Sequence, residues 1–314
     1  MSVQQVKHVV SSQDIDRAGY DEIIRRGLKF IKEGIPTDLC KGKIVATLFF
    51  QPSTRTMNAF QTAMIRAGGG WIGVTGEDAL SMAKGESFED TIMTYSSFAD
   101  CIALRHPDDD SAERAAKASF VPIMNCGSGS REHAVGVSMM LLTLAHYLQR
   151  PLEGAKIGIY GTPEINRATK ALVPIFGMFG MELIIDDLGH FPLPQKVEDR
   201  AKANGLKSLR YDKLDNFIGD VDILMVTRGL QKGIFPEGKF PKEKEEMILQ
   251  SFKPITTEHM KKMRPDAILS MILPRIFEID LAVDSDPRAI YSKQEPFTES
   301  GLAVMTYLLG IEVA

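Results

Sequence analysis

The segment Phe49–Thr56 has the residue types of an anion-binding site at the junction of a strand and a helix. It reads FFQPSTRT, and Pro52 suits a chain that leaves a strand, because proline donates no hydrogen bond to a sheet. The first-turn N–H groups of a helix are unpaired and its N-terminus is positive, so a phosphate fits there. Arg55 adds a planar fork that grips two oxygens at once. Taken alone, the segment is equally compatible with an ordinary capped helix and a solvated arginine.

Short apolar runs alternate with helical patterns over most of the chain, which indicates an α/β protein. Strands are predicted at Ile44–Phe50, Trp71–Thr75, Cys101–Leu104, Pro122–Met124, Lys156–Tyr160, Glu182–Asp186, Asp222–Val226 and Ala267–Ser270. Helices are predicted at Ser53–Gly68, Ser87–Phe98, His133–Leu148 and Thr298–Leu309. Buried parallel strands separated by helices imply two consecutive domains, each with a parallel sheet flanked by helices. The turn-rich segment Pro151–Gly154 places the boundary between residues 1–150 and 151–314.

Several polar segments come directly after predicted strands. They read FFQPSTRT, LRHP, MNCGSGS, IYGTPEINR and MVTRG. Ligands of such folds bind beyond the carboxyl ends of the strands. We therefore expect these segments to converge, in the crevice between the two domains.

Composition excludes several classes of protein. The 314 residues are 44% hydrophobic and 25% charged with a formal charge of −4, which disfavours nucleic acid as the main partner. The N-terminus lacks a signal-peptide pattern and no apolar stretch has the length of a membrane span, so a cytoplasmic protein without a membrane partner is expected. Cys40, Cys101 and Cys126 are too few and too scattered to suggest a disulfide framework or a zinc site.

The segment FFQPSTRT resembles the carbamoyl phosphate signature FFEPSTRT of the aspartate and ornithine carbamoyltransferases. Other motifs of that family follow in order: Lys84–Ser87 resembles KGES, Arg105–Pro107 resembles RHP, Asn125–His133 resembles NAGDGSxQH, Arg167 lies six residues after Gly161, Thr227–Arg228 resembles TR, and Leu273–Arg275 resembles LPR. The match is closer to the aspartate branch, because the chain lacks the cysteine-containing HCLP segment of the ornithine branch. The resemblance extends from about Phe49 to the C-terminus and implies an enzyme of this family.

The resemblance implies a role for several residues of the first domain, which would bind carbamoyl phosphate. Ser53, Thr54, Arg55 and Thr56 would hold the phosphate together with Arg105. Thr56, Arg105 and His133 would face the carbonyl oxygen. Carbamoyl transfer depends mainly on positioning and electrostatics, so no cofactor and no metal are expected.

The second domain would bind the amino acid acceptor. The resemblance implies that Arg167 and Arg228 bind the two carboxylates of aspartate, with further contacts from Gln231, once one residue is inserted in the alignment, and from the backbone at Leu273. A C-terminal helix, at about residues 298–310, would return to the first domain. Lys84 matches a residue that the family supplies to a neighbouring subunit, so a homotrimer with shared active sites is implied. The sequence does not identify a regulatory partner.

Several positions depart from the family's pattern. Gly136 stands where the family has a glutamine that contacts the carbamoyl amide, which suggests room for a bulkier acyl phosphate. Gln51 replaces a glutamate, Ser81 is three rather than four residues before Lys84, and an arginine usually found after TR is missing. The segment before Arg275 reads MILP rather than HPLP.

The expected activity is transfer of a carbamoyl group from carbamoyl phosphate to L-aspartate in pyrimidine biosynthesis. Two alternatives stay open: an enzyme of the family with another acceptor or acyl phosphate donor, and a catalytically weak homologue that binds anions. A nucleotide-binding dehydrogenase is disfavoured, because no GxGxxG motif follows the strand at Lys156–Tyr160.

Overall fold

The computed structural model describes residues 7–76, 85–129, 131–229, 241–293 and 296–313. The chain divides into two compact units. The first unit comprises residues up to Leu142 together with those from Pro296 onward, and the second comprises Thr143–Glu295. Each unit has its own sheet.

The first unit contains a four-stranded parallel sheet. Its strands are β1 (Ile44–Phe49), β2 (Gly70–Thr75), β3 (Cys101–His106) and β4 (Ile123–Ser128), in the order β2-β1-β3-β4. Its helices before the C-terminal segment are α1 (Arg17–Glu33), α2 (Thr54–Arg66), α3 (Phe88–Ser96), α4 (Ser111–Ala118) and α5 (Ala134–Leu148), the last of which contains the division between the units. The apolar strands are buried on both faces, as expected when helices cover a parallel sheet.

The second unit contains a five-stranded parallel sheet. Its strands are β5 (Lys156–Tyr160), β6 (Glu182–Asp186), β7 (Ser208–Tyr211), β8 (Ile223–Val226) and β9 (Ile268–Met271), in the order β7-β6-β5-β8-β9. Its helices are α6 (Arg167–Met178), α7 (Gln195–Ala203), α8 (Leu214–Phe217), α9 (Lys242–Ser251) and α10 (Thr257–Lys262). The chain reverses its direction of strand addition after β7, so β5 and β8 are neighbours at the switch point of this sheet.

The C-terminal helix α11 (Phe297–Leu308) packs against α1 and α2 in the first unit. Beyond its end, the guanidinium groups of Arg26 and Arg25 donate hydrogen bonds of 2.7 and 2.9 Å to the carbonyl oxygens of Ile311 and Val313. The predicted fold class, with two parallel sheets flanked by helices and a C-terminal helix that packs on the first domain, is confirmed.

The predicted strands are all present, but two of them extend further than their apolar runs. β3 continues to His106 and β4 to Ser128, because main-chain pairing between them persists through polar residues, with one irregularity after Leu104. Sequence patterns did not predict the edge strand β7 or the helices α1, α4, α6, α7, α8 and α10. The strand β7 is largely exposed and so has no apolar run to reveal it.

Cys40, Cys101 and Cys126 are buried free thiols. Within the described residues, no group of three or more His, Cys, Asp or Glu side chains could hold a metal ion. None of the described helices is long and apolar enough to cross a membrane.

Candidate active site

The loop from β1 to α2 ends in a helix N-terminus that has no side-chain cap. Ser53 is the N-cap residue of α2, with an extended backbone, and its side chain makes no capping hydrogen bond. Arg55 is exposed in the first turn, whereas Thr56 is only 7% exposed. Thr54 is exposed, and its carbonyl oxygen accepts a 2.7 Å bond from Asn58 Nδ2. The first turn therefore presents N–H groups, the Ser53 hydroxyl and one guanidinium in the same place.

Arg105 lies beside this loop, because β3 pairs with β1. Phe49 and Arg105 are partners in the parallel register, and the N–H of Phe50 donates a 2.8 Å hydrogen bond to the carbonyl oxygen of Arg105. The side chain of Arg105 is partly buried, and its Nε atom is buried without a hydrogen-bond partner in the described part of the chain. A buried guanidinium donor normally has an acceptor, so this nitrogen can donate to a ligand oxygen.

The pKa of Arg105 is lowered from its usual value. Burial is the largest cause; Cys126 acts in the opposite direction, and the positive charge of Arg55 lowers the pKa further. Two cationic side chains therefore repel each other near the start of α2. An anion between them would relieve both this repulsion and the cost of burying Arg105.

The end of β4 is held by hydrogen bonds of the Asn125 side chain. Its Nδ2 donates hydrogen bonds to the carbonyl oxygen of Val10 (2.7 Å) and to Ser128 Oγ (3.0 Å), while its Oδ1 accepts one from the N–H of Gly127 (2.9 Å). The N–H of Gly129 donates to the carbonyl oxygen of His106 at 3.0 Å, which joins the ends of β3 and β4. These bonds hold the end of β4 in place beside the end of β3.

His133 immediately precedes α5 and caps it. The N–H of Gly136 donates a 3.0 Å hydrogen bond to His133 Nδ1. A Cβ atom at position 136 would lie 2.8 Å from Nδ1 and 3.0 Å from Cγ and Cε1 of this ring. The imidazole of His133 therefore lies where a Cβ atom at position 136 would be, and the interpretation that this glycine leaves room for a bulkier substrate stays a prediction.

His106, by contrast, is part of the core. Its ring is 5% exposed and packs edge-on against Phe50 and Phe88, with ring centroids 4.7 and 4.9 Å apart. The N–H of Asp108 donates a 3.1 Å bond to its Nδ1. These contacts give His106 a structural role in the core.

In the second unit, Arg167 is the first residue of α6. The preceding Asn166 caps this helix through a 3.0 Å bond from the N–H of Thr169 to its side-chain oxygen. Gly161, at the end of β5, has a φ of +127°, and a Cβ atom there would lie 2.3 Å from Thr227 Oγ1. Only glycine allows the segment that leads to Arg167 to pass this close to the end of β8.

The backbone at Arg228 is held on both sides. Its carbonyl oxygen accepts a 2.8 Å hydrogen bond from Thr162 Oγ1. The next N–H, of Gly229, donates a 2.9 Å bond to Glu278 Oε1, while Glu278 Oε2 accepts bonds from the N–H groups of Ile276 (2.7 Å) and Phe277 (3.0 Å). Both arginines of the predicted carboxylate pair therefore follow strands that are neighbours, β5 and β8, and the Thr162 bond joins the two segments.

Glu278 is a positioning residue that the sequence reasoning missed. It is fully buried, and its carboxylate accepts only from backbone N–H groups among the described bonds. The sequence does contain one signal for this residue. Glu278 is an acidic residue between apolar neighbours in the segment IFEID, and burial of its carboxylate would be unfavourable unless it accepted hydrogen bonds.

The segment after β9 contains Leu273, which is partly buried and packs against the core of the second unit. The peptide bond between Leu273 and Pro274 is cis. Arg275 forms a two-fold ion pair with Asp284, with 2.8 Å between Nη2 and Oδ2, and also contacts Tyr291. Arg275 therefore stabilises this segment through Asp284.

Two predicted site residues, Lys84 and Gln231, lie outside the described residues. The structure brings Ser53, Thr54, Arg55, Thr56 and Arg105 to one edge of the first sheet, where the loop before His133 also ends. It places Arg167 and Arg228 at the corresponding edge of the second sheet, and Leu273 follows β9 at that same edge.

Comparison with known proteins gives the family of this chain. Residues 7–145 match the family described as aspartate/ornithine carbamoyltransferase, carbamoyl-P binding domain. The chain is 37% identical over 293 residues to the aspartate carbamoyltransferase catalytic subunit of Methanocaldococcus jannaschii, covering 92% of this chain and 93% of that protein. The chain belongs to the aspartate/ornithine carbamoyltransferase family. The catalytic subunit of Clostridium novyi is similar at 34% identity over 314 residues, which cover 99% of this chain and 96% of that protein.

Solved structures of the family share the fold of the whole chain. The catalytic subunit of the M. jannaschii aspartate transcarbamoylase superposes with a TM-score of 0.83 at 35% identity, covering 97% of this chain and 98% of that one. The Trypanosoma cruzi aspartate transcarbamoylase in complex with N-(phosphonacetyl)-L-aspartic acid superposes with a TM-score of 0.85 at 27% identity, covering 100% of this chain and 98% of that one. The resemblance inferred from the motifs is therefore confirmed, including its closeness to the aspartate branch.

Proposed function

We propose that this protein is an aspartate carbamoyltransferase, which transfers the carbamoyl group of carbamoyl phosphate to the amine of L-aspartate. The products are N-carbamoyl-L-aspartate and phosphate, and the reaction belongs to pyrimidine biosynthesis. The observation that carries the proposal is the arrangement of Arg55 and the buried Arg105 Nε at the start of α2, in a chain that aligns over nearly its full length with aspartate carbamoyltransferases.

The first domain binds carbamoyl phosphate in this proposal. Ser53, Thr54 and the first-turn N–H groups hold the phosphate, and Arg55 and Arg105 neutralise its charge. The amine of aspartate attacks the carbonyl carbon, a C–N bond forms, and the carbonyl oxygen gains negative charge. Thr56, Arg105 and His133 stabilise that charge. The C–O bond to phosphate then breaks, phosphate leaves with the bonding electrons, and the proton that the amine loses passes to the departing phosphate.

The second domain binds the acceptor. Arg167 and Arg228 pair with the two carboxylates of aspartate, because each guanidinium suits a planar carboxylate. Glu278 and Thr162 support this role by fixing the backbone around Arg228. Gln231 and the backbone at Leu273 complete the acceptor site in the proposal. Two fixed cations favour a dianionic amino acid over a neutral or cationic one.

The active unit is proposed to be a homotrimer in the cytoplasm, in which Lys84 of one subunit completes the site of its neighbour. No cofactor and no metal are needed, because the chemistry is one of positioning and charge stabilisation.

The proposal is tested by measuring phosphate release from carbamoyl phosphate with a panel of acceptors: L-aspartate, L-glutamate, L-ornithine, L-alanine and water. We expect turnover with L-aspartate well above all the others, and N-carbamoyl-L-aspartate as the product by mass spectrometry. Faster turnover with another amino acid would identify that amino acid, and not aspartate, as the acceptor. Phosphate binding without turnover on any acceptor would identify a catalytically weak, anion-binding member of the family.

A further inference from the structure

The side chain of Glu132, the residue before His133, contacts the N-terminal segment, residues 8–12. Its Oε2 atom accepts a 3.2 Å hydrogen bond from Ser11 Oγ, 121 residues earlier in the chain. Its backbone is bonded to the end of β4 in both directions. The N–H of Ser128 donates to the carbonyl oxygen of Glu132 at 3.1 Å, and the N–H of Glu132 donates back at 3.4 Å. Glu132 therefore links the end of β4 to the N-terminal segment.

The N-terminal segment is itself fixed on β4. The N–H of Val9 donates to the carbonyl oxygen of Ile123, and the N–H of Asn125 donates to the carbonyl oxygen of Val9, both at 2.8 Å. Ser11 follows two residues later, so its hydroxyl is held at a defined place beside the sheet. A side chain bonded to this hydroxyl is therefore anchored to the sheet.

The carboxyl group of Glu132 has little to stabilise a negative charge. Its Oε1 atom is buried and has no hydrogen-bond partner among the described residues. The adjacent Arg131 is exposed and pairs with Glu113, at 3.0 Å. Burial raises the pKa of Glu132, and the hydrogen bonds that it accepts, the first from Ser11, oppose this rise only in part. A carboxylate with one buried, unpaired oxygen is costly, so the neutral acid is favoured.

The other described titratable groups of this region provide no counter-charge for Glu132. Asp14, at the end of the 3-10 helix Ser12–Asp14, is acidic and accepts two backbone N–H groups at 2.8 Å. Tyr20 in α1 donates to a backbone carbonyl oxygen at 2.7 Å. Burial raises the pKa of Tyr20, and the charges of Glu132 and Asp14 raise it further, so both carboxyl groups act on this hydroxyl. His8 and His133 each accept a backbone N–H through Nδ1, at 3.2 and 3.0 Å.

We propose that Glu132 is a positioning residue for His133, and that it acts as a neutral carboxylic acid bonded to Ser11, which anchors the start of α5 to the N-terminal segment. A hydroxyl both donates and accepts, so this bond persists in the neutral form. Ionisation at higher pH leaves a charge without a partner at this contact, and the backbone before His133 is then held less firmly. The inference deepens the proposed function and rests on it for the role of His133 in catalysis. The protonation state of Glu132 is independent of any substrate.

The first measurement needs no activity. Protein labelled with ¹³C at its glutamate carboxyl carbons is titrated by NMR, and the Glu132 signal is assigned by its loss in Glu132→Gln, or in Glu132→Asp if the first variant does not fold. We expect this signal to titrate above the ordinary value of 4.5, and Ser11→Ala to move its titration higher, since the lost hydrogen bond favours the charged form. Titration of Glu132 at or below 4.5 would overturn the proposal.

The second measurement compares the unfolding of the wild type and Glu132→Gln in denaturant as a function of pH. A group whose pKa is raised on folding contributes stability that is complete below its unfolded pKa and is lost as the pH rises through its folded pKa. The amide cannot ionise. The unfolding equilibrium constant of the wild type, relative to the variant, should therefore rise with pH by about tenfold for each unit of pKa shift.

Glu33→Gln is the control for this comparison, because that side chain at the end of α1 is 53% exposed. Its unfolding should follow that of the wild type at every pH. A ratio between the wild type and Glu132→Gln that stays constant with pH would contradict a neutral Glu132.

The third measurement is steady-state kinetics as a function of pH with carbamoyl phosphate and aspartate. Other groups titrate in both proteins, so the ratio of kcat between the wild type and Glu132→Gln isolates this carboxyl group. The ratio should fall by about tenfold to 100-fold as the pH rises, because a displaced His133 costs turnover, while the KM for aspartate stays the same. Glu132→Ala, which has no bond to Ser11, should be slower than Glu132→Gln at every pH.

A kcat ratio that does not change with pH would show that Glu132 does not position His133. Equal kcat values of Glu132→Ala and Glu132→Gln would show the same. If the wild-type protein does not act on aspartate, the proposed function fails, whereas the carboxyl titration and the unfolding measurements still decide the protonation state of Glu132.

Discussion

Arg55 and Arg105 lie near enough to each other for the charge of Arg55 to lower the pKa of Arg105. One guanidinium is exposed at the first turn of α2 and the other is partly buried at the end of β3. Like charges held together by two fixed elements form a site that is complete only with an anion. In the proposed function this repulsion favours the binding of phosphate, and the contribution of each arginine can be measured.

Arg55→Ala should leave the fold intact and reduce turnover by about 100-fold or more, because a charge-assisted contact in the transition state is lost. Phosphate release measures the turnover, and thermal unfolding measures the stability of the fold. Arg66→Ala, at the other end of α2, is the control, since Arg66 is exposed and lies 4.0 Å from Glu299. Normal turnover in a folded Arg55→Ala protein would remove Arg55 from the site.

Arg105→Met should abolish the stabilisation of the protein by phosphate without lowering the stability of the phosphate-free protein. At about 100 times its Kd, a ligand that binds only the folded protein raises the free energy of unfolding by about 2.7 kcal/mol. Replacing a partly buried cation, whose Nε has no acceptor among the described residues, with an apolar side chain removes a desolvation cost. Chemical denaturation with and without phosphate measures both effects, and Arg131→Met, at an exposed arginine of the same unit, is the control. A phosphate effect equal to that of the wild type would contradict the role of Arg105.

A bisubstrate mimic with a phosphonate and two carboxylates, N-(phosphonacetyl)-L-aspartate, should bind more tightly than its analogue with one carboxylate. The difference should be about 1 to 3 kcal/mol or more, because the analogue leaves one guanidinium desolvated and unpaired. Arg228→Ala should remove this difference, while Arg210→Ala, at an exposed position of β7, should keep it. Calorimetric titration is the measurement. Equal affinities of the wild type for the two mimics would rule out paired carboxylate recognition.

Glu278→Gln should lower the free energy of unfolding by about 2 to 4 kcal/mol and raise the KM for aspartate by about 10-fold. The amide cannot accept from all three N–H groups that the carboxylate satisfies, and the backbone at Gly229 shifts with Arg228. Denaturant titration and steady-state kinetics test the two effects. Glu258→Gln is the control, because that side chain is 70% exposed. A stable variant with an unchanged KM would show that Arg228 does not depend on Glu278.

Mixing inactive Lys84→Ala chains with inactive Arg55→Ala chains should restore part of the activity. In mixed trimers some interfaces would combine an intact Lys84 with an intact Arg55. Mixing Arg55→Ala with His133→Ala should restore none, since both residues come from the same subunit of each site. Absence of recovery in the first mixture, with subunit exchange demonstrated by mass spectrometry, would show that Lys84 does not act in a neighbouring subunit.

The sequence by itself determined the fold class and the positions of most elements. Buried parallel strands are nearly continuous apolar runs, so β1, β5 and β6 were predicted within one residue of their observed ends. The motif residues are short-range patterns at the ends of those strands, and this is why the family could be inferred from them. Ser53 at the start of α2 was predicted for the same reason.

Only the tertiary structure decided how the site residues are held. The N–H of Gly229 finds its acceptor 49 residues away on Glu278, and no local pattern encodes that pairing. In the sequence, Gly136 indicates only the loss of a side-chain contact. The atomic positions show that the ring of His133 lies where a Cβ atom of residue 136 would be. The burial of Arg105 Nε likewise depends on how β3 packs among its neighbours. The local sequence determines which residues can form strands, cap helices or carry a positive charge. Their burial and their hydrogen-bond partners arise from contacts between residues that are distant in the chain.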